Sequence, residues 1–315
     1  MRISIGTRAG LGLVLGLLAL VTAGSAANAG SAASAVPSQD GVYRHTGRPD
    51  TRAVRDRLHA RNNPHGDDLG FLNGVGVIWP GGVRSANGGA DAGTGFLIDS
   101  CHVLTNMHVI HRDADVAHPA IGATVEFAVG QTEGETNRGA ERGLKFLIPG
   151  TVVEHGDAII VNHTAHDPEN DWALIRLATP VDGSISSLSI GAAEPSALPA
   201  HRSLSSAGFP ADHRQRRGDG FNFKDLWGAD GDVVRILRVS TIGALLETTL
   251  PATRGSSGSP VYGSFGEDRH LVVGMIQSVR GSGIAPSEDQ PNIAILFTPA
   301  LVANLRTARL HTPCP

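Results

Sequence analysis

The chain has 315 residues, a formal net charge of −4 and 41% hydrophobic residues. Its length and apolar content suffice for a sizeable core. The slightly acidic balance gives no basic field for nucleic acid, which excludes that class of partner. Residues 1–29 read as a signal peptide: Arg2 and Arg8 supply a positive start, and residues 11–21 form an apolar run short for a bilayer. Ala27-Asn28-Ala29 then offers a small-x-small cleavage site, and a second site ends at Ala35. No later stretch is long and apolar enough to span a membrane. The mature protein is therefore expected to be secreted (extracellular or periplasmic), free of the membrane and monomeric. Residues 30–69 mix Arg44, Arg48, Arg52, Arg55, Arg57 and Arg61 with Pro, Asn and Asp and hold few apolar residues. They predict a pro-segment or a disordered N-terminal arm, not a core.

Residues 70–315 predict one folded unit. Short runs rich in Val, Ile and Thr recur at 75–79, 96–98, 103–104, 124–129, 158–162, 233–242, 244–250 and 271–278, punctuated by Gly and Pro. That is an all-β pattern. Residues 211–231, with Arg214, Arg216, Arg217 and several glycines, read as a surface loop. Leu301, Leu305 and Ala308 stand at helical spacing, so a closing helix is expected over 298–308. No internal repeat is visible.

Chemistry concentrates at three places. Gly255-Ser256-Ser257-Gly258-Ser259-Pro260 frames a serine between glycines. A hydroxyl is a weak nucleophile without a base and without donors for the charge it creates on a carbonyl. The N–H groups of Gly255 and Ser257 are candidates for those donors. With 40 glycines in the chain, a plain Gly/Ser turn is the alternative, so the partners decide. His108 follows the run at 103–104, where an imidazole can stand at the lip of a sheet. Its kind of ring, with an unperturbed pKa of about 6.5, takes and returns protons near neutrality. Asp171 opens the apolar run Trp172-Ala173-Leu174-Ile175, a place for a half-buried carboxylate that holds an imidazole in one tautomer. Asp167 is the rival acid, in a polar run before Pro168.

In this order, Thr105-Asn106-Met107-His108, Asp171-Trp172-Ala173-Leu174 and Gly255–Pro260 resemble the signatures of the trypsin/chymotrypsin-like serine proteases. The Ser-Pro ending and Gly208-Phe209-Pro210 are most similar to the bacterial branch that includes the glutamyl endopeptidases. The resemblance implies two six-stranded antiparallel β-barrels with a short C-terminal helix. The first barrel would cover about 70–185, the second about 186–297 and the helix about 298–308. It further implies an endopeptidase with a catalytic triad of His108, Asp171 and Ser257 and an oxyanion hole from the Gly255 and Ser257 amides. Protein or peptide substrates would be bound near Ala252, Gln277, Ser278 and Val279, with no cofactor and no metal. A catalytically silent binding protein and an esterase on the same fold are the competing readings.

The chain departs from the family in several places. Ser256 stands where trypsin-like zymogens carry an aspartate that captures a new N-terminus. Pro251 replaces the acid that selects basic side chains. The glutamyl branch's threonine is Ala252 here, with Thr253 one place later, and its histidine is absent from Met275-Ile276-Gln277-Ser278. Arg254 and Arg280 are candidates for pairing with an acidic side chain, or plain surface arginines. No residue preference follows. The family's cystine beside the histidine is missing, since Val109 follows His108. In an exported chain, Cys101 and Cys314 suggest a disulfide, closing a loop worth at most roughly 4–5 kcal/mol; two free thiols are the alternative. His163-Thr164-Ala165-His166-Asp167 has metal-like spacing but lacks a third ligand of known position.

Overall fold

The computed structural model describes residues 44–45, 48–49, 53–54, 70–81, 92–111, 121–131, 144–158, 160–161, 164–165, 167–195, 198–200, 202–210, 226–240, 242–265, 268–278 and 289–315. The expected signal peptide, most of the 30–69 segment, and His163 and His166 lie outside them.

Twelve strands build two closed antiparallel barrels, as the resemblance implied. The first contains β1 (Val75–Pro80), β2 (Gly93–Leu97), β3 (His102–Thr105), β4 (Thr124–Gln131), β5 (Leu144–His155) and β6 (Ala173–Leu177). The second contains β7 (Ser203–Gly208), β8 (Trp227–Val239), β9 (Gly243–Thr248), β10 (Pro260–Phe265), β11 (Asp268–Ser278) and β12 (Asn292–Phe297). Around the first ring the order is β1-β2-β3-β6-β5-β4. Around the second it is β7-β8-β9-β12-β11-β10, closed by the pairing of β7 with β8. Each position of one ring answers the same position of the other. The repeat that the sequence hides is a repeat of topology. Closure leaves no barrel strand with an unpaired edge, and a short strand, Ala53–Val54, adds onto Trp227–Gly228 of β8.

Alternation along the strands sorts side chains into three clusters, because successive residues point to opposite faces. Ile78, Leu97, Val103, Phe127 and Ile175 fill the first barrel. Leu204, Val233, Leu246, Val273 and Leu296 fill the second. The other faces of the same strands meet in a shared cluster: Val75, Val77, Phe96 and Leu174 beside Leu245, Met275, Ile293, Ile295 and Phe297. Strands there are buried on both sides, so β12 (Asn-Ile-Ala-Ile-Leu-Phe) is buried at every residue.

Local corrections follow from turns. The strand expected at 158–162 shrinks to Ile160–Val161, paired with Thr164–Ala165, while β5 supplies the long strand just before it. β8 stops at Val239 because the Ser240 hydroxyl accepts the amides of Ile242 and Gly243 and turns the chain. Residues 227–231, expected in a loop, belong to β8.

Helix α2 (Pro299–His311) starts with Thr298, whose hydroxyl accepts the Leu301 amide, and Pro299 needs no amide partner in the first turn. Leu301, Leu305 and Ala308 press into the shared cluster. Past the helix the chain is tied back to the β2–β3 turn. Cys101 and Cys314 are joined, with Cα atoms 5.7 Å apart and a sequence separation of 213. His102 Nδ1 lies 2.8 Å from Asp99 Oδ2, and Nε2 lies 2.8 Å from the Thr312 carbonyl. Asp99 Oδ1 also accepts the Cys101 and His102 amides, and Arg309 Nε sits 2.6 Å from Oδ2, off the hydrogen-bonding direction. Burial works to raise the Asp99 pKa. The hydrogen bonds from His102 and the Cys101 amide, with the charges of His102 and Arg309, outweigh it and bring it down to about 2 from 3.8.

Cys314→Ser should lose a few kcal/mol of stability, read as a lower Tm than the oxidised parent. An unchanged Tm would show that the bridge adds no net stability. Asp99→Asn should be less stable than the parent above pH 3.8, where the parent's lowered pKa gives it its full advantage. That advantage should disappear as pH falls towards 2, and denaturant midpoints of both proteins across pH 2–7 measure it.

Candidate active site

Three chain segments converge where the barrels meet. The first leaves β3 as a single helical turn, α1 (Met107–Ile110). Met107, Val109 and Ile110 are buried, and this turns His108 out of the core. Val109 fits because residue 93 is glycine: a Cβ there would stand 2.5 Å from Val109 Cγ1. The second segment is the 3₁₀ turn Pro168–Asn170, which delivers Asp171 just before β6. The third is the tight turn before β10, carrying Ser257. Gly255 and Gly258 take φ values of 91° and 83° there, a left-handed backbone that favours glycine.

Asp171 is the hub. Its side chain is fully buried, not half-buried as expected from the sequence, and His108 is 14% exposed. Asp171 Oδ2 lies 2.6 Å from His108 Nδ1, and Oδ1 accepts the His108 amide at 2.9 Å. The main chain of Asp171 is held too, its carbonyl accepting Asn106 Nδ2 at 2.8 Å. The rival Asp167 makes no such contact with His108; its carbonyl accepts the Asn170 amide within the 3₁₀ turn.

Gln277 brings in the third segment. Its Nε2 donates to Asp171 Oδ2 at 3.1 Å, and its carbonyl accepts the Ser257 hydroxyl at 3.4 Å. Ser257 and Asp171 are thus joined through one residue of β11. Among the described residues no hydrogen bond links Ser257 directly to His108. The amides of Gly255 and Ser257 likewise find no acceptor among the described residues, whereas Ser256 N–H donates to Thr253 O and Gly258 N–H to Ile276 O.

The remaining candidates divide. Ala252 is packed into the core of the second barrel. Ser278 is partly exposed at the end of β11, and Val279 and Arg280 lie outside the described residues. Ser256, in the zymogen-aspartate position, is buried, and its hydroxyl accepts the Thr253 amide at 3.2 Å. It is committed to its own turn. No local pattern announces that the Gln277 side chain reaches Asp171, because that contact spans 106 residues. Asn106 lies two residues before His108 in the Thr-Asn-Met-His motif, but its bond to the Asp171 main chain has no local signal.

A family model described as a trypsin-like peptidase domain matches residues 93–275, more than half of the chain. Among solved structures, a Glu endopeptidase in complex with MPD is 20% identical, with a TM-score of 0.51, over 83% of this chain and 97% of that one. An inactive serine-to-alanine mutant of a Mycobacterium tuberculosis protein is 18% identical, with a TM-score of 0.45, over 83% of this chain and 98% of that one. No curated protein matches. With its two barrels and its matched domain, the chain belongs to the trypsin-like peptidase family.

Proposed function

We propose that the chain is an exported serine endopeptidase that cuts protein or peptide substrates through an acyl-enzyme. The observation that carries this reading is the buried Asp171 carboxylate bonded to His108 Nδ1, with Gln277 tying it to Ser257. Asp171 holds the imidazole so that Nε2 is left to act as base. For attack, the Ser257 hydroxyl must swing from the Gln277 carbonyl to His108. Oγ then bonds to the scissile carbonyl carbon while its proton passes to Nε2. The negative charge that forms on the carbonyl oxygen is met by the unclaimed amides of Gly255 and Ser257. Collapse of this adduct breaks the C–N bond, and the leaving amine takes the proton from His108. Water repeats the sequence against the ester, returning Ser257 to its hydroxyl form.

Export is supported by the leader-like residues 1–29 and by the Cys101–Cys314 bridge, which suits an oxidising compartment. The glutamyl-branch marks are not met at their aligned places, so no side-chain preference is proposed.

A fluorophosphonate probe should label the wild-type protein at Ser257, located by mass spectrometry. No label, or a label elsewhere, would remove Ser257 as nucleophile. Ser257→Ala should lower kcat by on the order of 10⁶-fold, and Asp171→Asn by about 10⁴-fold, magnitudes carried over from other serine peptidases. Both variants should keep the parent's circular dichroism spectrum. Peptides released from a protein digest would report activity and the preferred cleavage position together.

A further inference from the structure

Thr94 lies in β2, on the first barrel, and is completely buried. Its N–H donates to the Ser257 carbonyl at 2.9 Å, and its hydroxyl donates to the Gly255 carbonyl at 2.8 Å. The same hydroxyl accepts the Phe209 amide at 3.1 Å, and the Thr94 carbonyl accepts the Thr105 hydroxyl at 2.7 Å. One residue of the first barrel therefore grips the carbonyls on both sides of Ser256 in the second.

The effect follows from the rigidity of peptide planes. The plane between residues 255 and 256 is fixed at its carbonyl by Thr94 Oγ1 and at its N–H by Thr253 O. The plane between 257 and 258 is fixed at its carbonyl by Thr94 N–H and at its N–H by Ile276 O. The plane between 256 and 257 is held at its carbonyl by Ser259 N–H; it and the plane between 254 and 255 carry the two amides that find no acceptor among the described residues, Ser257 and Gly255. The barrel approaches so closely that a Cβ on residue 258 would stand 2.0 Å from the Thr94 carbonyl.

We infer that Thr94 is a positioning residue for the oxyanion site: its hydroxyl sets the Gly255 carbonyl and thereby aims the two amides at a common point. The inference rests on the serine peptidase reading above. The main-chain bond of Thr94 survives any substitution that keeps the strand, so the hydroxyl is the part that a variant isolates.

The test compares Thr94→Val, which keeps the shape and removes the hydroxyl, with Thr94→Ser, which keeps the hydroxyl. The readouts are kcat, KM and affinity for a peptide boronate, whose boron becomes tetrahedral on binding the serine. Thr94→Val should lose on the order of 10- to 100-fold in kcat at nearly unchanged KM, with boronate affinity falling in parallel. Thr94→Ser should stay within severalfold of wild type. A folded Thr94→Val with wild-type kcat and boronate affinity would overturn the inference, as would equal losses in both variants. If Thr94→Val does not fold, Thr94→Ala is judged by the same criteria. If that variant also fails to fold, Thr94→Ser decides alone: kcat and boronate affinity near wild type uphold the hydroxyl's role, and large losses overturn it. Fluorophosphonate labelling of the wild type is read first. A wild type that takes no label overturns the peptidase reading and this inference with it, whereas a labelled wild type beside an unimpaired Thr94→Val overturns this inference alone.

Discussion

A carboxylate removed from water must recover its lost hydration from fixed donors, and Asp171 is such a group. It receives His108 Nδ1, the His108 amide and Gln277 Nε2. The first two donors come from the first barrel and the third from the second. The need to satisfy one buried group therefore binds together elements of both barrels at the point where His108 must be oriented. Removing any donor would leave charge in a medium that penalises it, so the local demand for pairing also specifies the geometry.

The architecture makes that specificity affordable. Both rings follow the same strand order, and the faces they turn to each other interleave Val75, Val77 and Leu174 with Ile293, Ile295 and Phe297. A close-packed seam transmits displacement instead of absorbing it. The groups with chemistry stand on short turns that leave this seam: α1 after β3, the 3₁₀ turn before β6, and the glycine-flanked turn before β10. Each turn is anchored at its base by strand pairing, so the tips are precise although they are irregular.

The three motifs were legible because each encodes a local event: a turn that needs glycine at 255 and 258, a partly exposed ring beside buried Met107 and Val109, an acid at the mouth of an apolar strand. Fold class was legible for a similar reason, since strands buried on both faces write themselves as continuous apolar runs, as in β12. β5 was missed because its barrel-facing residues, such as Ile148 and Val152, alternate with outward Leu147, Pro149 and Thr151 and carry Gly150 between them. The topological repeat was invisible because no sequence period accompanies it. The links from Thr94 to Gly255 and from Gln277 to Asp171 span 161 and 106 residues, beyond any window in which a motif can be read.

Gln277 shows how a break in regular pairing brings a side chain to the candidate site. On β11, Ile276 pairs with Ala294 and Ser278 with Ile293, so Gln277 is the extra residue of a bulge. A bulge releases its residue from the ladder and re-aims the side chain. Here the side chain goes to Asp171 while the carbonyl takes the Ser257 hydroxyl. These two bonds do different work. The amide of Gln277 completes the pairing of the acid, whereas its carbonyl accepts the Ser257 hydroxyl. At 3.4 Å the second bond is the weaker of the two. Gln277 thus joins the buried acid and the serine, one through its side chain and the other through its main chain.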